Sequence, residues 1–256
     1  VVWVVAFMAQ PWLGYWGVGV AASLTIAAAG FGIYIWRLTR RTKALAQLLS
    51  TATDAEGRKA ALEKLEQGDA KDAMNALAKA QLLAQEDPAK AIAVLEAVDL
   101  DKAPGATQDE VRTMLTLLLL ASNRAKDART QADKIRLDRQ PSGKGKALSA
   151  AVVAEAFART GAAEEARKLV DTYSPDDKDF GDIAPALLRA QVWTFVAQKK
   201  RGLARKAMDR IVAIDPNQLG PFVDKRIDPD VQRMALEALG AGGYQARPKM
   251  KMKMVK

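Results

Sequence analysis

Among the 256 residues there is no histidine and no cysteine. That removes the commonest general acid and base, the commonest metal ligand and every thiolate nucleophile. A Ser-His-Asp or Cys-His site cannot be assembled, and neither a disulfide framework nor a Cys-ligated zinc site is available. Carboxylates, amines, guanidiniums and hydroxyls remain, and two short stretches concentrate them. Residues 141–146 (PSGKGK) carry the glycines and lysines of a phosphate loop. Ala147 follows Lys146 where Ser or Thr is needed, however, the spacing departs from G-x-x-x-x-G-K-[ST], and no strand pattern precedes it. The segment is expected to be a flexible loop between helices. Residues 174–179 (SPDDKD) are rich in carboxylates but lack the ligand positions of a calcium loop, so a solvated loop is expected there too. These residues point away from catalysis: no catalytic group, no metal and no cofactor is expected.

Charge narrows the partners. The formal net charge is +9, from 39 Lys and Arg against 30 Asp and Glu. Four of the basic residues, Arg37, Arg40, Arg41 and Lys43, stand together, and five more (Arg247, Lys249, Lys251, Lys253 and Lys256) lie in the last ten positions. The stretch between these clusters is therefore neutral overall. A basic stripe for a phosphate backbone is not evident, and nucleic acid is not an expected partner. The tail alternates Lys and Met after a Gly-rich stretch. It cannot bury enough surface to fold alone, and it offers a contact for anionic lipid or an acidic partner, or simply a solubilising end.

The first 36 residues contain no charged side chain. Within them, 18–36 (VGVAASLTIAAAGFGIYIW) would span about 28 Å as a helix at about 1.5 Å per residue, close to the ~30 Å hydrocarbon core of a bilayer. Trp12, Tyr15 and Trp16 stand on one side of that run and Tyr34 and Trp36 on the other. Amphipathic rings favour the two interfaces, and the basic cluster 37–43 would hold its own side in the cytoplasm. A membrane anchor over 1–36 is the expectation. Either 1–9 is part of a first helix, giving a hairpin turned around 10–17, or the whole segment is one helix kinked at Pro11. Small residues, Gly19 and Ser23 among them, would let another helix approach closely in lipid, although small residues are also ordinary in membrane spans.

Past the basic cluster the pattern is helical. Leu, Ala, Val and Ile recur at three- and four-residue steps, with predicted helices over 37–50, 53–66, 69–85, 88–98, 107–122, 124–136, 147–160, 162–173, 183–199, 201–214 and 229–240. Thr53 with Glu56 reads as a capping box, and Pro88 and Pro229 suit first-turn positions. A self-similar unit runs through this region. Ala91, Ala128, Ala166 and Ala207 each fall about five residues into a helix, at steps of 37, 38 and 41. The clearest copy is 150–170, with Ala154, Phe157, a turn at Gly161, then Ala166 and Val170. Others carry Asp87-Pro88, Ala91 and Leu95; Asn123, Ala128 and Ile135; and Gly202, Ala207 and Ile211 before Asp215-Pro216.

These residues resemble the tetratricopeptide repeat family, which sets small residues where two helices cross, a large apolar residue one turn away and a Pro closing the second helix. The resemblance covers about 69–216, with a period longer than the family's ~34 residues. It implies a solenoid of stacked helix pairs, and with the segments read above the expected layout is all-α: a transmembrane helix over 1–36, a juxtamembrane helical connector over 37–68, a solenoid of about four helix pairs over 69–240 ending in a helical cap, and a disordered basic tail over 241–256. It further implies that the first helix of each pair lines a concave face that binds protein partners, which by position points to Thr113, Leu117, Leu120, Glu155 and Arg159. The apolar run Leu117 to Leu120 reads equally as a helix buried on both sides.

Three functions fit this layout. The leading one is a non-enzymatic adaptor on the cytoplasmic face of a bacterial inner membrane that recruits or assembles a membrane complex. An envelope chaperone or translocon-associated protein with its repeats outside the cytoplasm requires the opposite orientation. A structural subunit of a larger membrane machine would use the small-residue face of the anchor. The expected partners are proteins, with lipid contacted through the anchor.

Overall fold

A computed structural model describes residues 55–67, 72–84 and 86–243. The anchor, the aromatic and basic residues that flank it, the helix over 37–50, the Thr53 cap and the Lys/Met tail lie outside these residues. Every regular element described is helical, and there is no strand among the described residues. No helix among them is long and apolar enough to cross a membrane.

The chain divides into two compact units between Gln67 and Gly68. In the first, α1 (Ala55–Glu66) carries Glu56 in its first turn and Lys64 in its last, where each charge complements the helix dipole. Ala61 and Leu65, one turn apart, are its buried positions.

In the second unit the helices come in pairs: α2 (Ala73–Leu83) with α3 (Pro88–Glu96), α4 (Gly105–Ala121) with α5 (Ala125–Ala132), α6 (Gly143–Arg159) with α7 (Ala163–Thr172), and α8 (Ala184–Ala197) with α9 (Arg201–Ile214). A last helix, α10 (Pro229–Ala241), follows a 3-10 segment at Pro216–Val223. Local chemistry sets these limits. Asp72 accepts from the amides of Met74 and Asn75, so α2 starts at Ala73, four residues later than the periodicity predicts. Asp87 caps the Lys90 amide with Pro88 in the first turn, and Asp228 with Pro229 starts α10 in the same way. The stretch expected to be a loop at 141–146 is largely helix. Ser142 accepts from the Gly145 amide and residues 143–146 form the first turn of α6. The cap outweighs the poor helix propensity of two glycines. The carboxylate-rich stretch after α7 holds a 3-10 turn at Lys178–Phe180, capped by Asp177.

Packing is repetitive. Each first helix lies against the first helix of the next pair, α2 on α4, α4 on α6 and α6 on α8. Each second helix lies between its own partner and the first helix that follows. The period is 38 residues and visible atom by atom. Asn123, Gly161 and Lys199 stand 38 apart and all have positive φ. One residue later the amides of Arg124, Ala162 and Lys200 reach back to the carbonyls of Leu119, Phe157 and Phe195 at 2.8, 2.9 and 2.8 Å. This is the Schellman closure, in which a left-handed residue reverses the chain and the next amide satisfies a carbonyl of the last turn. Ala128, Ala166 and Ala204, again 38 apart, are completely buried where paired helices cross. The last copy therefore differs from the sequence reading: Ala204, not Ala207, holds the crossing position, and Lys199, not Gly202, makes the turn. Gly202 sits inside α9.

Three apolar clusters follow one another along the unit. The first joins α2 to α6, the second joins α6, α7 and α8, and the third joins α8 and α9 to α10. Leu118, Leu119 and Leu120 are buried in the first, with Leu117 packed at its edge, so the apolar run is interior on most sides. In α10, Val231, Met234, Ala235 and Ala238 are buried while Leu236 is 44% exposed.

Candidate functional site

The first helices α6 and α8 bring charged and aromatic side chains together at the C-terminal end of α4, beside the chain that leaves the 3-10 segment before α10. A small cleft there is lined by Leu120, Asn123, Glu155, Arg159, Arg189 and Trp193 from the helices, and by Pro221, Phe222, Asp224, Arg226 and Ile227. Its volume is about 80 Å³. Small-molecule pockets usually enclose about 300–1,000 Å³, so this one has room for a side chain or a small ion rather than a metabolite.

Glu155 is the hub. Its carboxylate is buried and accepts from Arg189 Nε at 2.7 Å and from Arg159 Nη1 at 3.3 Å. Arg159 also donates to the Leu120 carbonyl at 2.9 Å and to Asn123 Oδ1 at 2.6 Å, tying α6 to the end of α4. Its guanidinium stacks over the Trp193 ring, 4.6 Å from the centroid, and Trp193 in turn stacks on Phe222 at 5.5 Å. Burial pulls the Arg159 guanidinium below its ordinary range. Glu155 works against that, and the like charge of Arg189 adds to it.

Asn123 joins three parts of the molecule. Its left-handed backbone ends the α4 turn, its side-chain oxygen takes Arg159, and its amide donates to the Arg226 carbonyl at 3.1 Å. The 224–227 segment is further shaped by Asp224, which accepts from Arg226 Nη2 at 2.9 Å and Nε at 3.1 Å. Beneath it Leu219 and Phe222 are buried against α9 and α10.

Of the five residues assigned by position to a concave binding face, three line this cleft: Leu120, Glu155 and Arg159. Leu120 lends its backbone carbonyl while its side chain is buried, and Glu155 is covered by the two arginines, so neither offers a free side chain. Thr113 lies inside the first core. It donates to the Asp109 carbonyl at 2.7 Å, so the 3.0 Å contact with Ser149 is donated by Ser149. Leu117 packs against the same core. Position therefore brought three of the five together and sent the other two into the interior.

Arg189, Trp193, Asn123 and the 221–227 segment were missed. A buried carboxylate was missed as well: Asp109 has no exposure, accepts from the Arg136 amide at 3.3 Å and has Arg112 at 3.7 Å, while its Oδ2 has no hydrogen-bond partner. Among the described residues no group of His, Cys, Asp and Glu is placed to hold a metal ion. The cleft is a small charged cavity at which residues from three successive helix pairs meet. No known family model, curated protein or solved structure matches the chain.

Proposed function

We propose that this chain is a tetratricopeptide-like interaction scaffold, tethered to a bacterial inner membrane by its apolar N-terminal segment, that recruits or assembles protein partners on the cytoplasmic side. The observation that carries the reading is the 38-residue stacking of helix pairs, which gathers first-helix residues from three successive pairs around one cleft. Such a face offers a wide contact area, and a tether raises its effective concentration near membrane partners. The small volume of the cleft favours recognition of a side chain over turnover of a metabolite.

The test is photo-crosslinking in cells from position 225, where Lys225 is exposed between the cleft-lining Asp224 and Arg226, with exposed Lys168 on α7 as the reference position. A discrete adduct from 225 and none from 168 is the expected result. No adduct from either position would count against a partner on this face. Sidedness separates the adaptor from the envelope chaperone. Because the chain has no cysteine, Lys178→Cys supplies a single reporter at an exposed site that disturbs no helix cap. Labelling by a membrane-impermeant maleimide only after lysis is expected, whereas labelling of intact spheroplasts would favour the chaperone reading.

A further inference from the structure

The cleft holds more positive charge than its own carboxylates neutralise. Arg159, Arg189 and Arg226 line it against Glu155 and Asp224. Asp224 is engaged with Arg226 at the rim, and among the described residues Glu155 is the carboxylate paired with the two inner guanidiniums. Arg159 uses both terminal nitrogens, on the Leu120 carbonyl, Glu155 and Asn123. Arg189 does not: only its Nε is bonded, and its terminal amino groups have no acceptor among the described residues. Its side chain is 18% exposed, so the group is screened from bulk water yet opens into the cleft.

A guanidinium held at one edge by a buried carboxylate keeps a fixed orientation and presents its remaining donors as a fork. Charges there are screened less than at the surface, and the buried Arg159 beside Arg189 adds to the local positive potential. An anion in the cleft would relieve both. The volume of about 80 Å³ admits a carboxylate or a phosphate group and little more.

We propose that this cleft is an oxyanion receptor, in which the terminal amino groups of Arg189 bind a carboxylate or phosphate group while Glu155 fixes the arginine in place. The site stands apart from the scaffold reading, because a small anion tests it without any partner.

The experiment is thermal unfolding of the purified full chain in inorganic phosphate or in acetate, at constant ionic strength against chloride. A ligand that binds only the folded state raises the melting temperature in a saturable way. The wild-type chain is expected to show a saturable rise in at least one of the two anions. Arg189→Gln is expected to weaken the response at least tenfold, and Arg233→Gln, on α10 away from the cleft, to leave it unchanged. A rise in phosphate alone assigns the site to phosphate groups, in acetate alone to carboxylates, and in both to either. No rise beyond chloride, or the same rise in Arg189→Gln, overturns the proposal. If Arg189→Gln does not fold, Arg189→Lys decides the matter, since it keeps the charge against Glu155 but loses the fork. A fivefold or greater loss upholds the site, and unchanged affinity overturns it.

Discussion

Glu155 accepts from two guanidiniums while only 4% of its side chain reaches solvent. A carboxylate in that position does not add net stability simply by being paired, because removing three charges from water costs much of what their attraction returns. Its role is visible when it is removed. Glu155→Gln leaves Arg159 and Arg189 as like charges in a poorly solvated cleft, and the loss expected is about 3 kcal/mol, within the range for breaking a buried pair. Denaturant unfolding of the variant beside wild type measures it. The exposed ion pair between Arg205 and Glu237, at 2.7 Å, is the contrast. Breaking that pair by substitution should cost no more than about 1 kcal/mol, because solvent screens it.

At the scale of the element, the 38-residue unit turns on three equivalent left-handed positions, and these are not equally suited to their task. Gly161 meets the requirement without strain, and Asn123 tolerates it. Lys199 has φ of 60° with a Cβ that the left-handed region disfavours by about 1–2 kcal/mol. Lys199→Gly is therefore expected to stabilise the chain by up to about 1 kcal/mol once the greater freedom of glycine in the unfolded chain is subtracted. Gly161→Ala is expected to destabilise it by about 1–2 kcal/mol through backbone strain alone, since a Cβ built there meets no atom within 4 Å. Urea unfolding of the two variants gives opposite signs if the equivalence holds.

These positions also show what could be read from the residues. Helix pairs, turns and proline starts were legible because each is written locally, in three- and four-residue spacing and in Asp-Pro caps. The register of the last unit was not, because Ala204 and Ala207 both lie in α9 and both are buried. Gly202 then drew the turn toward itself on composition, whereas the backbone reverses at a lysine. With the 38-residue register in place, Thr113 aligns with Arg189 and Leu117 with Glu155 and Trp193. Arg189 and Trp193 would then have been found. The 221–227 segment and its link from Asn123 to Arg226, 103 residues apart in sequence, have no local signature at all.

For the repeat unit as a whole, contacts run mainly between neighbouring pairs. Stability should therefore behave as a sum of unit and interface contributions rather than as one indivisible core. Ala154 on α6 and Val192 on α8 are completely buried, with α6 flanked by α4, α5, α7 and α8. Among the described residues α10 packs chiefly on α9 and the 3-10 segment before it, and keeps Leu236 outward. Amide hydrogen exchange should accordingly be slowest in α6 and α8 and faster in α10. A sharper form uses Ala235→Gly, which loosens α10 by about 1 kcal/mol through backbone freedom, with a further loss from the deleted buried methyl. If the units couple only to their neighbours, exchange should quicken in α10, less in α9, and stay at the wild-type rate in α6. A uniform acceleration through α4, α6 and α8 would show instead that the helices open together. In that case the cleft would be only as stable as the last helix of the stack, and a partner bound there would protect α10 as strongly as α6.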